Sequence, residues 1–264
     1  MYINSKKLKV RRFSSGELKL IRSDLDSYVE DGKVEVLYTN DFSLFELILI
    51  LEYYLKKNIT VDLILAYLPY QRMDHKDRDE LDTINYVASI FNNMNLNSLT
   101  LCEPHCEISM FNNSKTFSYI KSIKKDVFKE IEFDEQNDIV VLTDKGGLKR
   151  YGDIARNIVY FNKVRDKDSG LIVKHEIVGN VDTSRKIVIV DDIISTGDTL
   201  VNIIDELNRL GAEKIYILSG HIENNKYNRR IFEYSSVKEV FSSNSLKKKS
   251  FKKLKLFDVK EMFY

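Results

Sequence analysis

The chain has 264 residues, long for one core and comfortable for two domains of ordinary size. Its 41 Lys and Arg nearly balance 40 Asp and Glu, so bulk charge implies no strong electrostatic partner. No apolar run reaches membrane-spanning length, the N-terminus lacks a signal-peptide core, and Cys102 and Cys106 make no disulfide framework, which together predict a cytoplasmic protein.

Strands and helices alternate along the chain. Val34 to Tyr38 reads as a strand, and Phe42 to Lys56 as a helix with Phe45, Leu47, Ile48, Leu51 and Leu55 on one face. Val61 to Tyr67 is a buried strand leading to a loop at Arg72, Thr83 to Met94 is a helix, and Ser98 to Cys102 is a strand ending at His105. Lys- and Glu-rich sequence then runs into Gln136-Asn137-Asp138, and the domains are expected at 1–130 and 131–264, the last ~15 residues packing back on the first domain. The second half opens with Ile139 to Leu142, a strand ending at Asp144. Tyr151 to Asn157 reads as a short helix, Ile158 to Phe161 as a strand ending in a loop at Lys163, and Asp168, Ser169 and Gly170 as a mobile lid. Lys247 to Lys249, Lys252, Lys253 and Lys255 interleave with Phe251, Leu254 and Leu256, which predicts an edge strand with solvated lysines in preference to a nucleic-acid site. The alternation predicts an α/β fold with parallel, helix-covered sheets.

One stretch carries chemistry on its own residues. Ile187, Val188, Ile189 and Val190 form an uninterrupted β-branched run that suits a strand buried on both faces. Asp191 and Asp192 end it, Ser195-Thr196-Gly197-Asp198-Thr199 follows, and Leu200, Ile203, Ile204, Leu207 and Leu210 recur at helical spacing before Gly211. In such β-loop-α-β units ligands sit beyond the carboxyl ends of the strands. The acids can hold ribose hydroxyls, and the helix start offers N–H groups and a positive dipole end to a phosphate. A plain turn capped by Ser195 or Thr196 would need only one Asp.

This stretch resembles the phosphoribosyl-pyrophosphate loop of phosphoribosyltransferases and ribose-phosphate pyrophosphokinases. The remaining motifs resemble the pyrophosphokinases, in their order. Arg12-Phe13-Ser14-Ser15-Gly16-Glu17 resembles Arg-Phe-Ser-Asp-Gly-Glu, and Tyr67 to Arg78 is similar to the Tyr-Ala-Arg-Gln-Asp-Arg-Lys segment. Glu103-Pro104-His105 stands for Asp-Leu-His, Asp144-Lys145-Gly146-Gly147 for an Asp-x-Gly-Gly turn, and Lys163-Val164-Arg165 for Lys-Arg-Arg of the mobile catalytic loop. The resemblance implies two tandem phosphoribosyltransferase-like domains, the first on the ATP side and the second carrying the ribose-phosphate loop.

It also implies a reaction: the β,γ-pyrophosphoryl group of ATP moves to the anomeric hydroxyl of ribose 5-phosphate, with AMP leaving. Charge then spreads over phosphoryl oxygens, so cations and Mg²⁺ supply most of the stabilisation. By resemblance Lys163, Arg165 and His105 are catalytic. ATP binding falls to Phe13, Glu17, Arg72, Asp74, Lys76, Arg78 and His105. The ribose phosphate falls to Asp191, Asp192, Ser195, Thr196, Gly197, Asp198 and Thr199, and Mg²⁺ to His105, Asp144 and Asp191. A homo-oligomer, dimer or higher, is implied, with neither nucleic acid nor membrane as partner. Zinc on Cys102, His105 and Cys106 is the competing metal reading, but one short cluster supplies at most three ligands.

The chain departs from the pattern at Ser15, Met73 and Asp198, where the family has Asp, Gln and Gly. An acid beside a 5-phosphate loop repels a dianionic monoester unless it points away. The alternative acceptor is therefore a larger 5-substituted ribose such as ADP-ribose, as in nucleotide or NAD salvage. A catalytically inactive regulatory homologue and a simple phosphoribosyltransferase are weaker alternatives. The first conflicts with Lys163, Arg165, His105 and Asp144, and the second leaves the N-terminal half without a role.

Overall fold

The computed structural model describes residues 1–74, 80–165 and 172–264. The expected contacts of Lys76 and Arg78 and the lid at Asp168, Ser169 and Gly170 lie outside the described residues. The chain divides into two compact units, Met1–Phe117 with Asp258–Tyr264, and Ser118–Phe257.

The first unit opens with the short strands β1 (Tyr2–Ile3) and β2 (Lys6–Lys7), the hairpin β3 (Arg11–Arg12) and β4 (Leu18–Lys19), and helix α1 (Arg22–Asp26). Then come β5 (Lys33–Tyr38), α2 (Leu44–Lys56), β6 (Thr60–Leu65), α3 (Thr83–Asn92), β7 (Ser98–Cys102) and β8 (Ser114–Phe117). Among the described residues these form a sheet in the order β2-β1-β5-β6-β7-β8, with β5 to β8 parallel and β1 antiparallel to both neighbours. Helix α2 starts where Ser43 and Glu46 form a reciprocal capping box, and it buries Leu47, Ile50, Leu51 and Tyr54. The helix begins two residues later than the apolar pattern predicts because the cap, not the first apolar residue, sets its start.

The second unit contains α4 (Tyr119–Glu130), β9 (Ile139–Leu142), α5 (Lys145–Tyr151), β10 (Ile158–Arg165), β11 (Ile172–Val178), β12 (Ile187–Ile194), α6 (Asp198–Arg209), β13 (Ile215–Ile222), β14 (Val237–Ser243) and β15 (Leu254–Phe257). A 3₁₀ helix, Tyr227–Glu233, lies between β13 and β14. The sheet order is β11-β10-β9-β12-β13-β14-β15, parallel except for the β10–β11 hairpin. The core gathers Val141, Phe161, Ile187, Ile189, Leu200, Ile203, Ile204, Leu207, Ile215 and Ile217. Both units are thus mainly parallel α/β sheets, as the alternation predicts. Among the described residues no helix is long and apolar enough to cross a membrane.

Three expectations differ from the structure. The division falls at 117/118 rather than 130/131, because α4 buries Ile120, Ile123 and Val127 and packs on β13 and β14. The short helix is Lys145–Tyr151, not Tyr151 to Asn157. Asp144 caps it by accepting from the Gly147 N–H at 3.0 Å, so the carboxylate defines a helix start where sequence suggests a turn. Finally, Lys163 and Arg165 lie on β10, which runs on past Phe161 because it pairs with β11, from Tyr160↔Val178 to Arg165↔Ile172. Only the backbone of these two residues is described. The tail forms β15 at the edge of the second sheet, with Leu254 buried and Lys255 exposed.

Candidate active site

In the second unit β9 and β12 part company at a critical point. They pair from Ile187↔Ile139 to Val190↔Leu142, and β9 then turns away into α5. Strand β12 continues alone alongside β13 as far as Ile194↔Ile222. Asp191 and Asp192 therefore stand on strand backbone, at the carboxyl end where a crevice opens between diverging neighbours. The expectation that they follow the strand is corrected: they lie within it, and the loop proper is Ser195 to Gly197.

Each acid has its own environment. Asp191 is half-buried and accepts a hydrogen bond from the Thr143 hydroxyl at 2.9 Å, and the Asp192 backbone N–H also points to its Oδ1 at 3.1 Å. Asp192 is only 2% exposed and faces Arg150 of α5 at 3.1 Å. Withdrawal from water, reinforced by the charges of Asp192 and Asp144, pushes the Asp191 carboxyl well above the usual range, despite the Thr143 bond and Arg150. An acid with a raised folded-state pKa costs stability as pH climbs from its ordinary value, about 3.9, through the raised one. Asp191→Asn is therefore expected to raise the Tm of the metal-free protein, with no gain near pH ~4 and the full gain by pH ~9. A variant no more stable than wild type at the higher pH would mean that the carboxylate is already compensated.

The loop is held from behind by the 3₁₀ helix. Asn228, fully buried, donates to the Ser195 carbonyl at 3.1 Å and to the Glu223 carbonyl at 2.9 Å, while the Ser195 hydroxyl donates to the Glu223 carboxylate at 2.7 Å. Gly197 caps α6 in the left-handed region, φ +85°, and a Cβ there would lie 2.8 Å from Ile231 Cδ1. The N–H groups of the first turn of α6 are thus presented on a braced loop. Asp198, exposed on that turn, accepts from the Thr196 hydroxyl at 2.5 Å and pairs with Arg230. The Thr196 hydroxyl and then Arg230 hold its carboxyl below the usual range. Thr199 is half-buried in the same turn.

The first unit holds the residues ascribed to ATP. Phe13 and Glu17 sit on the β3–β4 hairpin, where the Phe13 N–H bonds the Glu17 carbonyl at 2.9 Å. The Phe13 ring is 53% exposed, with Lys19 Nζ 5.6 Å from its centre, so it is not a core residue. Arg72 is exposed and Asp74 half-buried in the segment after β6. His105, half-buried three residues beyond β7, donates its backbone N–H to Oε1 of buried Gln71 at 2.7 Å, tying that segment to the one at Arg72. His105 belongs to the first unit, Asp144 and Asp191 to the second. Cys102 and Cys106 are buried free thiols. Burial pushes the Cys106 thiol up to about 11, aided by Asp74, which disfavours the thiolate that a zinc site needs.

No motif marks Thr143, Arg150, Glu223, Asn228, Arg230 or Gln71. A buried Asp192 requires a cation, and Lys149-Arg150 in the last turn of α5 was the one legible hint. The other five are joined to their targets only by folding.

Known proteins resemble this chain in the same parts. Residues 110–257 match the phosphoribosyl transferase domain family. A ribose-phosphate pyrophosphokinase of Sulfurisphaera tokodaii is 29% identical over 225 residues, covering 81% of this chain and 75% of that protein. Another, from Thermoplasma volcanium, is 30% identical over 222 residues, covering 80% and 74%. The crystal structure of phosphoribosylpyrophosphate synthetase from Mycobacterium smegmatis shares the fold, with a TM-score of 0.75 at 18% identity over 96% of this chain and 86% of that one. An acid pair and braced loop set in such a sheet, within a likeness that spans most of both chains, make this protein a member of the ribose-phosphate pyrophosphokinase family and a transferase of that type.

Proposed function

We propose that the protein transfers the β,γ-pyrophosphoryl group of ATP to the anomeric hydroxyl of ribose 5-phosphate, giving phosphoribosyl pyrophosphate and AMP. The observation that carries this reading is the Asp191–Asp192 pair at the open end of β12, followed at once by a braced loop and the start of α6. Asp191 and Asp192 orient the ribose 2- and 3-hydroxyls. Ser195, Thr196, Gly197 and Thr199 hold the 5-phosphate through loop N–H groups and hydroxyls. Lys163 and Arg165 clamp the transferred group, whose oxygens gain charge as AMP departs. Phe13 and Glu17 serve adenine, and Arg72, Asp74, Lys76 and Arg78 the nucleotide phosphates, with His105. Carboxylate oxygens such as those of Asp191 and Asp144 suit Mg²⁺, a hard cation that binds through few carboxylates and the substrate's phosphates. Burial and the neighbouring acids resist ionisation of the Asp191 carboxyl, which fits a position that a cation would relieve. When bound, Mg²⁺ would neutralise phosphoryl charge, and His105, Asp144 and Asp191 are the residues that the family resemblance assigns to it. The same reading makes the protein a cytoplasmic homo-oligomer.

The test is incubation with Mg²⁺, ATP and ribose 5-phosphate, with products weighed by mass spectrometry. AMP and a pyrophosphorylated sugar are expected in equal amounts. ADP in place of AMP would overturn pyrophosphoryl transfer.

The loop itself is open to a second check. Gly197→Ala forces a side chain into the left-handed region, costing about 1–2 kcal/mol, and presses on Ile231. Its acceptor KM is expected to rise well above wild type while its ATP KM holds. Equal changes in both would place the damage elsewhere.

An extended acceptor such as ADP-ribose finds its support beside the loop, where Lys226, Arg229 and Arg230 gather. Asp198 does not project a lone negative charge, because Arg230 and Thr196 engage it. That pairing removes the repulsion that would count against a dianionic 5-phosphate, so Asp198 itself does not select between the two acceptors.

A further inference from the structure

A cavity of about 640 Å³ opens against the loop, between Thr196 and Asp198 on one side and the 3₁₀ helix Tyr227–Glu233 on the other. It is far larger than one phosphate group requires and falls in the range of small-molecule sites, roughly 300–1,000 Å³. Resting on the pyrophosphoryl-transfer reading above, we propose that this cavity is a subsite for a nucleoside diphosphate carried on the 5-position of the acceptor ribose.

Three observations converge on that ligand. The first is continuity. The helix that walls the cavity also braces the loop, since Asn228 bonds Ser195 and Ile231 lies against Gly197. Thr196 and Asp198 of the loop are themselves part of the cavity lining, so the cavity begins at the residues that follow the acid pair.

The second is charge. Lys226, Arg229 and Arg230 line the cavity, against Asp198 and Glu233. Arg230 is engaged by Asp198. Among the described residues no carboxylate pairs with Lys226 or Arg229. Arg229 also lies close enough to Lys247, itself nearly buried, to help push that ammonium below its usual range after burial has done most of it. The wall thus carries positive charge that its own carboxylates do not cancel, and a second phosphate, joined to the first as an anhydride, supplies the missing anion.

The third is an aromatic platform. Tyr227 is 57% exposed, and Lys226 Nζ lies 5.1 Å from its ring centre. An exposed ring at the mouth of a cation-lined cavity suits a stacked base. A bare sugar monophosphate uses neither Lys226 and Arg229 nor the ring.

The experiment compares ADP-ribose with ribose 5-phosphate, as ligands by calorimetry and as acceptors by AMP release, in wild type, Tyr227→Ala, Tyr227→Phe and Arg229→Ala. Wild type is expected to bind ADP-ribose at least tenfold more tightly than ribose 5-phosphate. Tyr227→Ala and Arg229→Ala should each reduce that preference at least fivefold, whereas Tyr227→Phe, which keeps the ring, should retain it. Equal affinity for the two ligands in wild type, or an undiminished preference in both alanine variants, would overturn the subsite. Loss of preference without AMP from any acceptor would leave the subsite standing and sink the transfer reaction instead. AMP from ribose 5-phosphate with no preference for ADP-ribose would do the reverse.

Discussion

Lys163→Ala and Arg165→Ala are expected to lower kcat about 30- to 1,000-fold, with KM for either substrate little changed, a loss of roughly 2–4 kcal/mol each. In the proposed reaction the β-phosphorus is attacked while AMP leaves, and negative charge builds on the oxygens of the moving group. A cation that meets those oxygens mainly in the transition state affects kcat and kcat/KM equally. Both residues are on β10, whose antiparallel pairing with β11 extends through Lys163↔His175 and Arg165↔Ile172. A hairpin strand can present cations from a defined backbone. Steady-state kinetics on each variant, with Tm measured in parallel, separates the outcomes. A change confined to KM would make the two residues ground-state binders, and a fallen Tm would assign them to the hairpin itself. Lys163→Arg, which keeps a cation, should recover part of the lost rate.

Asp192→Ala is expected to abolish acceptor use and also to destabilise the second unit. The sequence alone suggests a substitution that leaves the fold intact, because an acid in a binding loop is ordinarily solvated. The structure corrects this: Asp192 is buried on β12 and faces Arg150 at 3.1 Å. Removing one member of a fully buried pair costs about 3–5 kcal/mol. The Arg150 side chain is 29% exposed, so water relieves part of the loss and about 1–3 kcal/mol is expected. Calorimetry of the unliganded variant reads the stability, and AMP release reads the acceptor. Asp192→Asn should lose acceptor use with a smaller drop in Tm, since an amide still accepts a hydrogen bond from the guanidinium. A wild-type Tm for Asp192→Ala would show that the pair adds nothing to the fold.

The two substitutions depend on different kinds of information. The apolar run Ile187 to Val190 and the periodic face from Leu200 to Leu207 are local patterns, and each became the predicted element, the strand running on through the acid pair to Ile194. A buried parallel strand needs only β-branched residues in succession, and a packed helix needs only apolar spacing, so neither depends on a distant partner. Helix α5 shows where local reading fails. Lys145-Gly146-Gly147 has poor helix propensity, yet Asp144 caps it and Gly147 lies against Leu142, where a Cβ would come within 3.2 Å. Strand β10 fails for another reason: its last residues are strand only because β11 hydrogen-bonds to them.

The sequence by itself determined the α/β class, the order of apolar run, acid pair and loop along the chain, and the family resemblance, all carried by residues adjacent in the chain. Tertiary structure decided which groups those residues meet. Thr143 reaches Asp191 across 48 positions, Asn228 reaches Ser195 across 33, and Arg230 reaches Asp198 across 32. No periodicity records such contacts, because each is made by two elements brought side by side through the sheet order β9-β12-β13 and the return of the 3₁₀ helix onto the loop. Asp198 makes the difference plain. In the sequence it is an uncompensated charge next to a phosphate loop, whereas in the folded unit Arg230 and the Thr196 hydroxyl engage it. The sign of a residue's effect on a ligand depends on its neighbours in space, and those only folding assigns.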